Sequence, residues 1–437
     1  MKAAFRVAHS AAGLAASALM LAGCAGGASP SPFGTVAAAA RHAAATEKVL
    51  YSFGGGTDGG DPTGSLVFDA AGSIYGAAHF GGITTCGGNY GGGCGVVFEL
   101  SPKGSSWNET ALYAFGDGTD GGFPNAGPVL DKHGNLYGTA STGGNSSCSL
   151  GCGLVYELRA TRGGKWAEDV LHAFSGGDGQ FPNAVLLSAA GGAFYSTTWY
   201  GGSSGNGTVF SLTPSGKHWQ EQVLHSFAGG SDGESPAGGV VSDASGNLYG
   251  TTYKYDGSND GIAFELRKPS WKDRLLYTFT DNGGGENPYA GLTAGGKGRL
   301  YGTAIESGPN DGGVAFELSA GKKHRWTQSV LHAFGASGDG NSPYGGIVAD
   351  AAGNLYGTTV FGGASNYGTV YELSPESGGK WSEQILYSFT GGNDGGYPSG
   401  SLALDSSGNL YGTASNGGTG GAGVVFEIRP STALRAR

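Results

Sequence analysis

A block of the form Leu-(Tyr/His)-(Ser/Ala/Thr)-Phe occurs seven times, at Leu50, Leu112, Leu171, Leu224, Leu276, Leu331 and Leu386, at intervals of 52 to 62 residues. A unit of this length cannot bury its apolar face alone, so the copies must share a core with their neighbours. Each block is followed by a Gly/Asp-rich turn and a Pro, then a short apolar strand such as Ser65 to Asp69. An Asp-x-x-Gly turn leads to a strand carrying Leu-Tyr-Gly-Thr, as in Leu136 to Thr139. A loop with Gly-Gly then leads to a strand ending Val-(Phe/Tyr)-Glu-Leu, as in Val97 to Leu100. Four short strands joined by turn residues make a propeller blade. The chain is therefore expected to be all-β, a seven-bladed β-propeller over residues 46–430 with four antiparallel strands per blade. The first block precedes any complete unit and the last unit stops after Val424 to Ile428. The N-terminal strand, residues 47–53, is thus expected to close the last blade. Six blocks carry Trp five residues before their Leu, whereas the first has Ala45.

Composition fits a turn-rich array. Gly accounts for 90 of 437 residues with no strict triplet period, which excludes collagen. Aromatic content of 11% in ordered apolar blocks excludes general disorder. A net charge of −10, without a Lys/Arg cluster, argues against nucleic acid as a partner.

Residues 1–23 read as a leader rather than as fold. Lys2 and Arg6 form a positive n-region before an apolar stretch from about Ala11 to Ala22, too short for a membrane span. Leu21-Ala22-Gly23-Cys24 resembles a lipobox, so Cys24 is the expected lipidation site and the membrane an expected partner through that anchor. The alternative is secretion after cleavage nearby. Ala25 at the following position implies, by resemblance to lipoprotein sorting rules, the outer membrane or cell surface. Residues 24–45, rich in Ala, Gly, Ser and Pro, read as a flexible tether, and 431–437 as a tail.

The recurring Leu-Tyr-Gly-Thr, Gly-Gly and Val-Phe-Glu-Leu elements, with Asp-x-x-Gly-Asn, resemble the Gloeobacter/Verrucomicrobia-type tandem repeat over roughly residues 47 to 430. The resemblance implies an exported, anchored repeat protein and carries no site residues. Ser196 for the Gly of Leu-Tyr-Gly, and Gly295 in place of the turn Asp, depart from the pattern.

Aromatics that recur in every copy, such as Tyr75, Tyr137, Phe98 and Tyr156, are expected in the core, because each blade needs the same large side chains between sheets. No His pair has metal-ligand spacing, and no catalytic constellation is recognised. Asp58, Asp120, Asp178, Asp232, Asp339 and Asp394 each lie four residues before the turn Pro. They could form a calcium ring, but an Asp-Gly turn whose carboxylate accepts backbone N–H groups is the favoured reading, so no cofactor is expected. Export makes disulfides the default for Cys86 with Cys94 and Cys148 with Cys152. Cross-linking between the two loops and a zinc site are the alternatives.

The residues just after the Leu-Tyr-Gly-Thr strand differ between copies. A scaffold does not require non-repeated aromatics, so His79, Phe80, Trp199, Tyr200, Tyr253, Tyr255 and Phe361 are the ligand-binding candidates. The expected role is a non-catalytic binding module for a glycan or another surface polymer. The alternatives are a protein-interaction scaffold in an envelope assembly, and a polysaccharide hydrolase or lyase using Glu306 with a turn Asp.

Overall fold

Gly and Asp at the turns and β-branched or aromatic residues between them cut the chain into strands of two to nine residues. The structure, a computed structural model, describes residues 45–82, 86, 92–254, 260–322 and 325–430. Cys24 and Tyr255, with the leader, most of the tether and the tail, lie outside these. The strands form seven antiparallel blades of four strands in a ring, a seven-bladed β-propeller.

Blade 1 is built from Val67–Phe68, Ile74–Phe80, Val96–Lys103 and Ser106–Ala114. Blades 2 to 6 repeat this order. Blade 7 takes Ala403–Leu404, Leu410–Ala414 and Val424–Arg429 from the end of the chain, and Thr46–Ser52 from its beginning. Thr46 pairs with Arg429 and Ser52 with Val424, so the first strand closes the ring as its sequence phase requires.

The recurring Leu has a specific structural cause. In every blade the register between the third and fourth strands slips by one residue, and the unpaired residue is that Leu, as at Leu50 between Val49 and Tyr51. A β-bulge bends its strand and re-aims side chains. It lets Leu50 and Phe53, three residues apart and otherwise on opposite faces, enter one core cluster with Val96 and Phe98.

Core clusters lie between successive blades rather than within them. Phe98, Tyr156, Phe210, Phe316, Tyr371 and Phe426 are wholly buried, as expected of repeated aromatics. The repeated Trp of each fourth strand packs on the second-strand Tyr of the preceding blade, with ring centroids 6.2 Å apart for Tyr137 and Trp219 and 6.0 Å for Tyr249 and Trp326. At the junction of blades 6 and 7, Ala45 occupies that place beside Tyr356.

Around the axis the blades approach more closely still. A Cβ on Gly64 would lie 2.2 Å from the Gly127 nitrogen, and one on Gly238 equally close to Gly291, so only Gly fits there.

Candidate functional site

One face of the ring carries the loops that enter each blade and the loops that follow each second strand. They are stitched together by one repeated device. The residue before the turn Pro (Asp61, Phe123, Phe181, Ser235, Asn287, Ser342 or Tyr397) has φ between 53° and 60° in all seven copies. Such a left-handed residue persists only where its surroundings fix it. Here its N–H donates to a carbonyl of the preceding blade's loop, as Phe181 to Cys152 at 3.0 Å. Its own carbonyl accepts the N–H of the residue just past the second strand, as Trp199 to Phe181 at 3.1 Å. The result is a rigid lip on each blade whose side chains are free to differ.

Those side chains gather into three groups. The largest spans blades 3 to 6. Trp199 lies 5.8 Å from Tyr253 and 5.6 Å from Tyr289, and Tyr289 lies 5.1 Å from Tyr344. Tyr200, 46% exposed, flanks Trp199 at 6.2 Å. Burial pushes the Tyr289 phenol up to about 12, with Tyr344 and Tyr253 contributing, so it stays a neutral donor. Burial and the nearby Glu306 also raise Tyr253. The positions that hold Tyr289 and Tyr344 in blades 5 and 6 are polar in blades 1 to 3: the Asn125 amide donates to Asn183 Oδ1 at 3.1 Å, and Thr63 Oγ1 donates to the Asn125 carbonyl at 3.2 Å.

A second group lies between blades 1 and 2. His79, Phe80, Phe123, Thr142, Leu150 and Phe181 line a pocket of about 230 Å³, with the His79 and Phe123 rings 5.2 Å apart. Burial lowers His79 to about 4, which leaves it neutral at pH 7. Phe361, 41% exposed, makes a third group with Tyr397 at 5.6 Å. The structure thus brings Trp199, Tyr200 and Tyr253 together and places His79 with Phe80, and Phe361, elsewhere on the same face. Tyr289, Tyr344, Phe123, Phe181 and Tyr397 escaped sequence reasoning. Their signal was legible: all are non-repeated aromatics immediately beside the turn Pro.

The six turn Asp residues sit at the outer rim. Asp58 accepts the Gly54 N–H at 2.7 Å and the Tyr51 hydroxyl at 3.1 Å, and Asp120 and Asp394 repeat the pattern with Tyr113 and Tyr387. His172, His225 and His332 replace the Tyr opposite Asp178, Asp232 and Asp339, at 2.9 to 3.0 Å. Two of these groups, His172 with Asp178 and Glu221 and His332 with Asp339 and Glu383, bring three possible ligand atoms within 4.8 Å of one another. An imidazole with two carboxylates suits a transition metal better than calcium. The four loop cysteines form Cys86–Cys94 and Cys148–Cys152, the local pairing.

Fold and lips define a β-propeller built from tandem repeats, with its variable residues concentrated on one face. The model of the Gloeobacter/Verrucomicrobia repeat matches residues 79–295, 146–337 and 297–436, and the chain belongs to that family. No curated protein matches it. Among solved structures it is similar to a putative 6-phosphogluconolactonase from Bacteroides uniformis, at 13% identity and a TM-score of 0.48, covering 78% of this chain and 88% of that one. It is also similar to a gluconolactonase from Xanthomonas campestris, at 12% identity and a TM-score of 0.40, covering 90% and 91%. A putative oxidoreductase (glucose dehydrogenase) from Thermus thermophilus gives 14% identity and a TM-score of 0.39, covering 88% and 99%.

Proposed function

We propose that this chain is an exported, non-catalytic binding module that recognises a glycan at the aromatic mouth of the propeller and works without a cofactor. The observation that carries the reading is the Trp199, Tyr253, Tyr289 and Tyr344 cluster on a face that also carries the polar Asn125 and Asn183. Flat rings suit the C–H faces of sugars, and amides suit their hydroxyls. None of these aromatics is imposed by the repeat. The leader and the Leu21-Ala22-Gly23-Cys24 sequence support attachment through a lipid on Cys24, at the outer membrane or cell surface.

A glycan array probed with residues 25–437 tests the ligand. Binding that disappears in Trp199→Ala supports the reading, and an empty array, or binding indifferent to that change, overturns it. Fatty-acid labelling lost in Cys24→Ser tests the anchor.

A further inference from the structure

On the face opposite the mouth, five blades share one turn plan; blade 3 departs from it with the neutral Ala189, and blade 5 departs from it with charge. In five blades the turn between the first two strands carries an Asp whose carboxylate accepts the N–H groups two and four residues on and the Tyr hydroxyl of the next strand, as Asp243 does from Ser245, Asn247 and Tyr249. Four of those turns add an Asn side chain on the same carboxylate, Asn247 to Asp243 at 2.8 Å among them. Blade 5 has Gly295 in place of the Asp and Arg299 in place of the Asn, with Lys297 between them. One turn has lost a carboxylate and gained a guanidinium.

Lys297 and Arg299 line a large groove between blades 4 and 5, and Arg299 also borders the groove between blades 5 and 6. The space between blades 4 and 5 measures about 760 Å³ and is lined by Arg267, Arg274, Lys297 and Arg299 against Asp243 and Glu265. The corresponding groove between blades 6 and 7, about 460 Å³, presents Asp350 and Asp405, with no Lys or Arg among the described residues that line it. Four cations in one groove are anomalous in a chain with 24 Lys+Arg in 437 residues and a net charge of −10. A single buried carboxylate, Glu265, serves both Arg267 at 3.0 Å and Arg274 at 3.1 Å. Arg299 stands 3.8 Å from Glu317 with its guanidinium 6.0 Å from the centre of the Tyr301 ring, and among the described residues its buried Nε has no hydrogen-bond partner. Tyr249 and Trp326, 6.0 Å apart, supply an aromatic wall.

The structure assigns this groove as a second binding site, for an acidic saccharide of the uronate type. The sugar carboxylate meets Arg299 and Lys297, because a planar guanidinium matches a carboxylate in fork geometry. The sugar ring lies along Trp326. The volume is in the range of small-ligand sites. The site shares no residue with the mouth and does not depend on the reading given for it.

Calorimetric titration of residues 25–437 with trigalacturonate, with neutral maltotriose and with inorganic phosphate tests the assignment. The diagnostic variant is K297S/R299N, because Ser and Asn occupy the aligned positions in blades 4 and 7 (Ser245 and Asn247, Ser407 and Asn409), so both substitutions remove charge with residue types the repeat already carries there. Trigalacturonate is expected to bind with an affinity that falls as salt rises, and roughly tenfold or more in the variant, the scale of a lost charge-assisted pair. Maltotriose is expected not to bind at this groove, and Trp199→Ala to leave the trigalacturonate affinity unchanged. An unchanged melting temperature of the variant shows that the fold is intact. Absence of trigalacturonate binding, equal affinity in wild type and variant, or saturable phosphate binding without the trimer would overturn the assignment.

Discussion

The Thr413 hydroxyl donates to the carbonyl oxygen of Gly64 at 3.3 Å, joining blade 7 to blade 1 across 349 residues of sequence. It is one of a set. Thr139, Thr197, Thr251, Thr303 and Thr358 reach in the same way to Ala184, Gly238, Ala290, Gly345 and Gly400. These Thr are the last residue of the Leu-Tyr-Gly-Thr element, so a conspicuous feature of the sequence is a seam between blades near the axis. Blade 1 has Ala77, 1% exposed, at that position and lacks the bond.

The seam gives a prediction of two signs. Ala77→Thr is expected to stabilise the propeller by about 0.5–1.5 kcal/mol, the usual net value of a buried hydrogen bond. Thr413→Val, which leaves the Gly64 carbonyl without its donor, is expected to destabilise by about 1–3 kcal/mol. Denaturant unfolding of the two variants checks both, and a loss of stability in Ala77→Thr would show that blade 1 is packed differently from the other six.

A second expectation concerns pH. Glu47, Glu109, Glu168, Glu221 and Glu383 hold equivalent places on the fourth strands, and each is raised to about 7, first by burial and then by a nearby Asp of the rim. Below about pH 4.5 these groups are protonated whether the chain is folded or not, and they do not affect stability. Between 4.5 and 7 the unfolded chain releases their protons while the folded chain retains them, so stability falls as pH rises, and the loss is complete above 7. Asp178, held at about 2 because hydrogen bonds from His172 and the Ser175 N–H outweigh its burial, acts oppositely, its contribution being lost as pH falls below 3.8. Blade 5 already has Gln328 at the glutamate position. Glu109→Gln with Glu168→Gln is therefore expected to raise the melting temperature at pH 8 and to change it little at pH 4.5, as read from thermal melts across that range.

The disulfides offer a third check. Cys148–Cys152 closes a loop of only a few residues, and Cys152 is wholly buried between blades 2 and 3. Chain-entropy arguments assign so short a loop about 2 kcal/mol. Cys148→Ser with Cys152→Ser is expected to lower the unfolding midpoint by that order. It should also perturb the pocket of His79 and Phe123, whose wall includes Leu150 from the same loop. Loss of the Cys86–Cys94 bridge alone should act at the other end of that wall, and equal midpoints for wild type and the double Ser variant would place the stabilisation elsewhere.

Period and phase make the ring legible in the sequence alone. Seven blocks gave seven blades, and the displaced first block, with Ala45 where the others have Trp, gave the closing strand. The bulge at Leu50 and its equivalents was not legible, because a single slipped residue leaves the apolar pattern almost unchanged while reversing which face each side chain meets. At the mouth, Trp199 and Tyr253 stand out because their counterparts in the other copies are His79, Ser141, Ile305, Val360 and Ser415. Tyr289 and Tyr344 lie inside an element whose Gly, Asp and Pro signal a turn and nothing more. Nothing short of the left-handed residue before each Pro shows that the chain there folds back over the preceding blade and carries the next side chain to the mouth.

That geometry makes the last prediction specific about how a sugar would be held. Trp199 is partly exposed at the mouth, so Trp199→Ala removes a stacking surface while leaving the blade cores intact. Glycan affinity is expected to fall by about tenfold or more, consistent with the roughly 1–3 kcal/mol an exposed aromatic anchor contributes, with little change in melting temperature. Tyr289→Phe keeps the ring and deletes only a hydroxyl that stays protonated up to about pH 12. If stacking dominates, this variant should bind nearly as well as wild type. If the phenol donates to the ligand, it should bind several-fold more weakly at every pH between 5 and 9, because the group does not titrate there. A pH-dependent difference between Tyr289→Phe and wild type in that range would mean that another titrating group, not this phenol, governs binding at the mouth.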